Sequence, residues 1–233
     1  MTISHIIFDL DGTLIDSAPA ILAGFEAAFA TCGRSPIVPL TSSLIGPPLM
    51  DTLATLAGAD EPAVLSVLAD GFKAHYDQSG YRQTKVFPDV EQMLRDLRRH
   101  HYCLYVATNK RLLPTTRILE FLGWHRYFDE VYALDSYQPA LKSKVALLTQ
   151  VIARKQLNTQ STVYIGDRDE DGVAATLAGI PFILARWGYD GMQANSWRTV
   201  DHPSALLEML TYVRDGTPTI RQTSTAGRPT DQA

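Results

Sequence analysis

Cysteine is scarce in this chain. Cys32 and Cys103 are too few to form a disulfide framework, and they fit a reducing compartment. Long apolar runs are missing as well, and none approaches the roughly 18–20 residues that span a bilayer. Ahead of the first short apolar run, Met1-Thr2-Ile3-Ser4-His5 carries no basic stretch of the kind that opens a secretory signal. Nor is there an excess of positive charge. Lys and Arg number 21 against 25 Asp and Glu, a formal net charge of −4, which argues against a general nucleic-acid binder. Apolar content is not low: 45% of the 233 residues are hydrophobic and 20% charged, enough for a core without staples and too apolar for a disordered chain. These absences leave a cytoplasmic globular protein with no membrane segment, of one large domain or two modest ones.

Short apolar runs alternate with longer stretches of helical period. Residues 4–10 (SHIIFDL) are continuously apolar up to their acidic end, the pattern of a parallel strand covered on both faces. Residues 102–107, 130–134, 162–165 and 181–185 follow the same pattern. Between them, Val90, Met93, Leu94 and Leu97 fall on one helical face, as do Leu147, Leu148, Val151 and Ile152, and near the end Leu206, Leu207 and Leu210. Strands and helices in this alternation predict βαβ units, and hence an α/β fold with a doubly wound, mainly parallel sheet.

One stretch breaks the alternation. From Asp16 to about Thr84 the patterns are helical only, with Ile21, Leu22, Phe25 and Phe29 on one face and further helices at 49–57 and 62–76. A helical insertion of about seventy residues is far longer than the few residues of an ordinary strand-to-helix connection, so it reads as a subdomain of its own. The expected organisation is a discontinuous α/β core over residues 1–15 and 84–215, a helical unit over 16–83, and a disordered tail over 216–233, rich in Thr, Pro, Gly and Gln.

The chemistry concentrates at the ends of the strands. The first ends in Asp9-Leu10-Asp11-Gly12-Thr13. Residues i and i+2 of an extended segment share a face, so Asp9 and Asp11 lie side by side until Gly12 lets the chain turn. Two adjacent carboxylates repel unless one is protonated or a cation lies between them. Average residue usage yields such a D-x-D-G-[TS] run in only about three of a thousand chains of this length. Thr108-Asn109-Lys110 follows the strand at 102–107, and a hydroxyl there can bond a phosphate oxygen without adding charge, although Thr-Asn is also ordinary turn material. Gly166-Asp167-Arg168-Asp169-Glu170-Asp171 follows the strand at 162–165, with Asp167 and Asp171 on one face if a helix begins there and Asp169 suited to cap it.

The segment Asp9-Leu10-Asp11-Gly12-Thr13 resembles the nucleophile motif of the haloacid dehalogenase superfamily, and the other segments resemble its remaining motifs in order. The resemblance implies that Thr108, with Asn109, binds phosphate, and that a lysine at a helix start does the same. Lys144 keeps the register of the following apolar pairs and Lys142 is the alternative, because the Lys-Pro of many relatives is absent. It implies Asp9 as nucleophile, Asp11 as acid and base, and Asp171 as a supporting acid. A metal would be held by Asp9, Asp167 and the Asp11 carbonyl. Four clustered acids call for a hard divalent cation with oxygen ligands, and Mg²⁺ suits a phosphate site.

The helical unit resembles the superfamily's cap, with Ile45-Gly46-Pro47-Pro48-Leu49 similar to a cap loop of phosphoglycolate-phosphatase-like proteins. The implied activity is a Mg²⁺-dependent phosphatase acting on a small phosphate ester through an aspartyl-phosphate. A sugar-phosphate mutase of the same fold and a non-catalytic phosphate-binding module are the alternatives.

Overall fold

A computed structural model describes residues 2–58, 61–189 and 197–212. Its centre is a six-stranded, all-parallel sheet. The continuous apolar run at the N-terminus forms β1 (His5–Phe8) in the middle of that sheet, between β4 (Cys103–Thr108) and β6 (Thr162–Gly166). Beyond β4 lies β5 (Glu130–Ala133), and beyond β6 lie β7 (Phe182–Ala185) and β8 (Arg198–Val200). Register pairs Ile6 with Leu104 and Val163, and Phe8 with Val106 and Ile165.

Alternation along the strands divides the core into two layers. Ile6, Phe8, Leu104, Val106, Val163 and Ile165 face one side, where α4 (Val90–Arg99) and α8 (Leu206–Tyr212) pack through Met93, Leu97, Leu206 and Leu210. Ile7, Tyr105 and Tyr164 face the other, against α6 (Lys144–Lys155) and α7 (Asp169–Leu177). Strands buried on both faces need no polar alternation, which is why they read as unbroken apolar runs. Ile6, Ile7 and Phe8 are fully buried, and each contributes about 1.5–3 kcal/mol of burial. The fold is the doubly wound α/β architecture that the sequence pattern predicts.

Two features carry no sequence signal. The sixth strand, β8, is only three residues long and includes an exposed Arg198, so no apolar run announces it. The second is a short antiparallel ribbon of β2 (Ile15–Asp16) and β3 (Lys85–Val86). It brings the chain back beside its point of departure. Between these strands lie α1 (Ala18–Thr31), α2 (Leu49–Ala57) and α3 (Pro62–Tyr76). The rings of Phe25 on α1 and Phe72 on α3 stand 4.8 Å apart, and Gly24 and Gly71 sit where a Cβ would crowd Phe72 and Ala28. The remaining helix, α5 (Leu112–Phe121), follows β4. The expected tail, 216–233, lies outside the described residues.

The strand order creates a switch point. From β1 the chain winds through β4 to β5 at one edge, then returns across the sheet to β6 on the other side of β1. Crevices at the carboxyl ends of strands flanking such a point are where open α/β sheets bind ligands.

Candidate active site at the carboxyl edge of the sheet

Asp9 directly follows β1, Thr108 closes β4 and Asp167 directly follows β6. Parallel pairing therefore carries residues about a hundred positions apart to one edge. Asp9 donates its backbone N–H to the Ile165 carbonyl at 2.8 Å, which ties the first acidic loop to the strand that presents Asp167.

Carboxylate oxygens of Asp9, Asp167 and Asp171 lie within 4.8 Å of one another, and all three residues are buried. Lys144, the first residue of α6, places its Nζ 2.8 Å from both Asp9 Oδ1 and Asp171 Oδ1. Ser143 caps this helix by accepting from the Ala146 N–H, which starts α6 at the lysine. Lys142 is exposed and lines an outer groove, so of the two candidate lysines Lys144 enters the cluster.

One ammonium cannot neutralise three buried carboxylates. Burial raises the Asp9 carboxyl from 3.8 to about 6, with Lys144 pulling it down and Asp171 pushing it up. For Asp167 burial dominates again, and Asp171 and Asp9 add to it, raising the carboxyl from 3.8 to about 8. Burial works against the Lys144 charge, yet Asp171 and Asp9 hold its ammonium above the usual lysine value. A buried, all-oxygen set with excess negative charge suits a hard divalent cation, so the donor chemistry fits Mg²⁺.

Asp11 behaves differently. Its carboxylate takes a salt bridge from Lys110 at 3.0 and 3.2 Å and a hydrogen bond from Ser17 Oγ at 2.5 Å. Lys110, whose side chain is 6% exposed, also stands 4.7 Å above the Tyr76 ring of α3. Lys110 ends the Thr108-Asn109-Lys110 segment and Ser17 follows the first acidic motif, but no pattern pairs either with Asp11, since both pairings are made only in three dimensions.

The glycine of the first motif has a steric duty. Gly12 adopts φ +87°, and a Cβ there would collide with the Asp167 carboxylate. Asp167 is fixed further by Thr13 Oγ1 at 3.1 Å and by the Tyr189 N–H at 2.9 Å. Asp169 does not cap α7; it accepts from the Trp197 indole at 2.5 Å, while Asp171 reaches back to the Arg168 N–H at 3.3 Å. Thr108 is buried and accepts from the Lys110 N–H at 3.2 Å. Asn109 donates through Nδ2 to the Gly46 carbonyl at 2.9 Å, and its Oδ1 is buried with no hydrogen-bond partner.

Two cavities flank this constellation. One, of about 190 Å³, is lined by Asp9, Lys144, Asp171, Asn109, Gly46 and Pro47. The other, of about 60 Å³, has Asp11, Lys110 and Arg111 on its wall, with Ile21, Phe25 and Phe72 from the inserted helices. None of Arg34, Lys73, His75 and Arg82, polar residues of the insertion, lines either cavity.

Residues 6–185 match the haloacid dehalogenase-like hydrolase family. The chain belongs to that family. A tyrosine-protein kinase, PtkA, of Mycobacterium tuberculosis is 33% identical over 208 residues, covering 88% of this chain and 70% of the relative. A phosphoglycolate phosphatase of Psychrobacter arcticus is 30% identical over 219 residues, covering 88% of this chain and 94% of the relative. Among solved structures, a haloacid dehalogenase-like hydrolase from Streptococcus pneumoniae superimposes with a TM-score of 0.75 at 26% identity, covering 91% of this chain and 98% of its own. Among the described residues of this family member, no helix is long and apolar enough to cross a membrane.

Proposed function

We propose that this phosphatase of the haloacid dehalogenase-like family hydrolyses a small phosphomonoester through an aspartyl-phosphate on Asp9, with phosphoglycolate as the first substrate to test. The observation that carries the reading is the placement of Asp9. It is buried, bonded to Lys144 at 2.8 Å, and set at the wall of the larger cavity on the carboxyl edge of the sheet.

The transferring phosphoryl group occupies that cavity. Asp9 attacks phosphorus in line, while Lys144, Thr108 and Asn109 hold the phosphoryl oxygens; Asn109 is bonded to the Gly46 carbonyl through Nδ2 at the wall of the same cavity. Asp9, Asp167 and the Asp11 backbone carbonyl would hold Mg²⁺, with Asp171 as a supporting acid. Bound there, the cation neutralises charge on the phosphoryl oxygens and on Asp9. Asp11 protonates the leaving alkoxide and then takes a proton from the water that hydrolyses the acyl phosphate, a role that typically contributes about 10²–10⁴ in rate. Lys110 and Ser17 keep its carboxylate at the wall of the smaller cavity, where the leaving group sits.

Size supports a small ester. The smaller cavity, of about 60 Å³, suits a small leaving group such as glycolate. The helices of residues 16–83 serve as the cap that closes over this space and excludes water.

Asp9→Asn tests the core of the reading. It abolishes phosphate release from p-nitrophenyl phosphate and phosphoglycolate while leaving the circular dichroism spectrum unchanged; wild-type turnover in that variant refutes the nucleophile assignment. The kinase among the relatives favours a second reading, transfer from the same aspartyl-phosphate to a hydroxyl other than water. Glucose 1-phosphate isomerisation or labelled phosphoprotein formed without free phosphate would replace the hydrolase reading by that one.

A further inference from the structure

The insertion meets the catalytic edge at several points, among them Ser17 on Asp11, Tyr76 under Lys110 and Asp77 on Arg111, and at the loop Ser43–Gly46, which two core side chains fasten. Arg168 donates through Nη1 to the Ile45 carbonyl and through Nη2 to the Ser43 carbonyl, the latter at 3.3 Å. Asn109 takes the Gly46 carbonyl at 2.9 Å. The guanidinium is nearly buried, its side chain 12% exposed, and it also stands 3.6 Å from Glu170. Gly46 makes this approach possible: it adopts φ +123°, and a Cβ would stand 2.9 Å from Arg168 Cδ. Arg168 is the neighbour of Asp167, and Asn109 the neighbour of Thr108. The loops that present site groups to the phosphoryl group therefore also grip the cap. Gly46 and Pro47 line both cavities, so the gripped loop forms a common wall of the larger and the smaller chamber.

We propose that Arg168 is a positioning residue that sets substrate size: by clamping residues 43–46 it holds the wall that keeps the leaving-group chamber small. The selectivity part rests on the phosphatase reading above; the clamp itself does not. Nothing in the spacing of the acidic motifs asks for an arginine at this position. Its reach to backbone carbonyls of a segment more than a hundred residues away is a tertiary event.

Arg168→Met keeps the apolar stem against Gly46 and removes the donors. Arg168→Lys, which retains one cationic donor, is the companion variant. Hydrogen exchange on the seconds scale is read first. The clamp predicts that the amides of residues 42–46 exchange about tenfold faster in Arg168→Met, with an intermediate change in Arg168→Lys and no change in β1 or β6. Unchanged exchange in that loop overturns the clamp, whatever the activity. Kinetics are read second. Phosphoglycolate should lose about tenfold in kcat/KM, mainly through KM, while p-nitrophenyl phosphate, whose leaving group is bulkier than glycolate, changes less than about threefold. Equal losses on both esters overturn the role in selectivity and leave Arg168 as general support. If the wild type turns over neither ester, the phosphatase reading fails, and the exchange arm still decides the clamp.

Discussion

Asp167 lies in the molecule at a cost that can be measured. Burial, with Asp171 and Asp9 close by, raises its carboxyl from 3.8 to about 8. A carboxyl raised in the folded state contributes its full share of stability only below its unfolded value, and that share is lost as pH climbs toward the folded one. At about 1.4 kcal/mol per pH unit between 3.8 and about 8, keeping Asp167 in place at pH 8 without metal costs up to about 6 kcal/mol. Relaxation and water entering the open edge reduce the observable figure to about 2–4 kcal/mol.

Asp167→Asn removes the charge and keeps the shape. Its amide oxygen can accept from the Tyr189 N–H, and its NH₂ can donate to the Thr13 hydroxyl, which rotates to receive it. In EDTA at pH 8 the variant should melt about 5–15 °C above the wild type, and at pH 5 the gap should shrink to less than about a third of that. Adding Mg²⁺ should then raise the wild-type melting temperature and hardly move the variant. The assay is thermal unfolding by circular dichroism at both pH values, with and without Mg²⁺. A pH-independent gap, or a less stable variant at pH 8 in EDTA, refutes the argument that this site is electrostatically frustrated without its cation.

Other perturbations separate the remaining groups. Lys110→Met strands the Asp11 carboxylate beside Ser17 and should cost about 3–5 kcal/mol in urea denaturation at pH 7, whereas Lys142→Met, on an exposed residue, should stay within about 0.5 kcal/mol. Lys144→Met should lower kcat/KM by about 10²-fold or more with Lys142→Met near wild type; the reverse order would move the phosphate-binding role to Lys142. Gly12→Ala forces an alanine into φ +87° against Asp167, so both melting temperature and Mg²⁺-induced stabilisation should fall. If Gly12→Ala binds Mg²⁺ as the wild type does in calorimetry, the steric account of that glycine is wrong.

Much of the layout was legible because its signals are local. A strand buried on both faces must be apolar throughout, so His5–Phe8, Cys103–Thr108 and Thr162–Gly166 were visible as runs, and parallel pairing implied that their carboxyl ends would meet. The helices at Leu49–Ala57 and Pro62–Tyr76 were delimited by Gly and Pro flanking apolar periodicity. β8 was not legible, because a three-residue edge strand needs only a neighbour to pair with, not an apolar pattern. The register of the apolar pairs favoured Lys144 over Lys142, but the sequence kept both open. Both flank the same helix start, and only the direction of α6 sends one ammonium into the acidic cluster.

By itself, then, the sequence determined an α/β core, a helical insertion and an ordered set of acidic motifs at strand ends, because strand burial and turn chemistry are properties of neighbouring residues. Tertiary structure alone decided the electrostatics and the enclosure. It gathered Asp9, Asp167 and Asp171 around Lys144 while directing Asp11 to Lys110 and Ser17. It also brought Arg168 and Asn109 against the carbonyls of the Ser43–Gly46 loop. Charges separated by a hundred residues acquire shared energetics only when the chain buries them together, and no local pattern records that proximity.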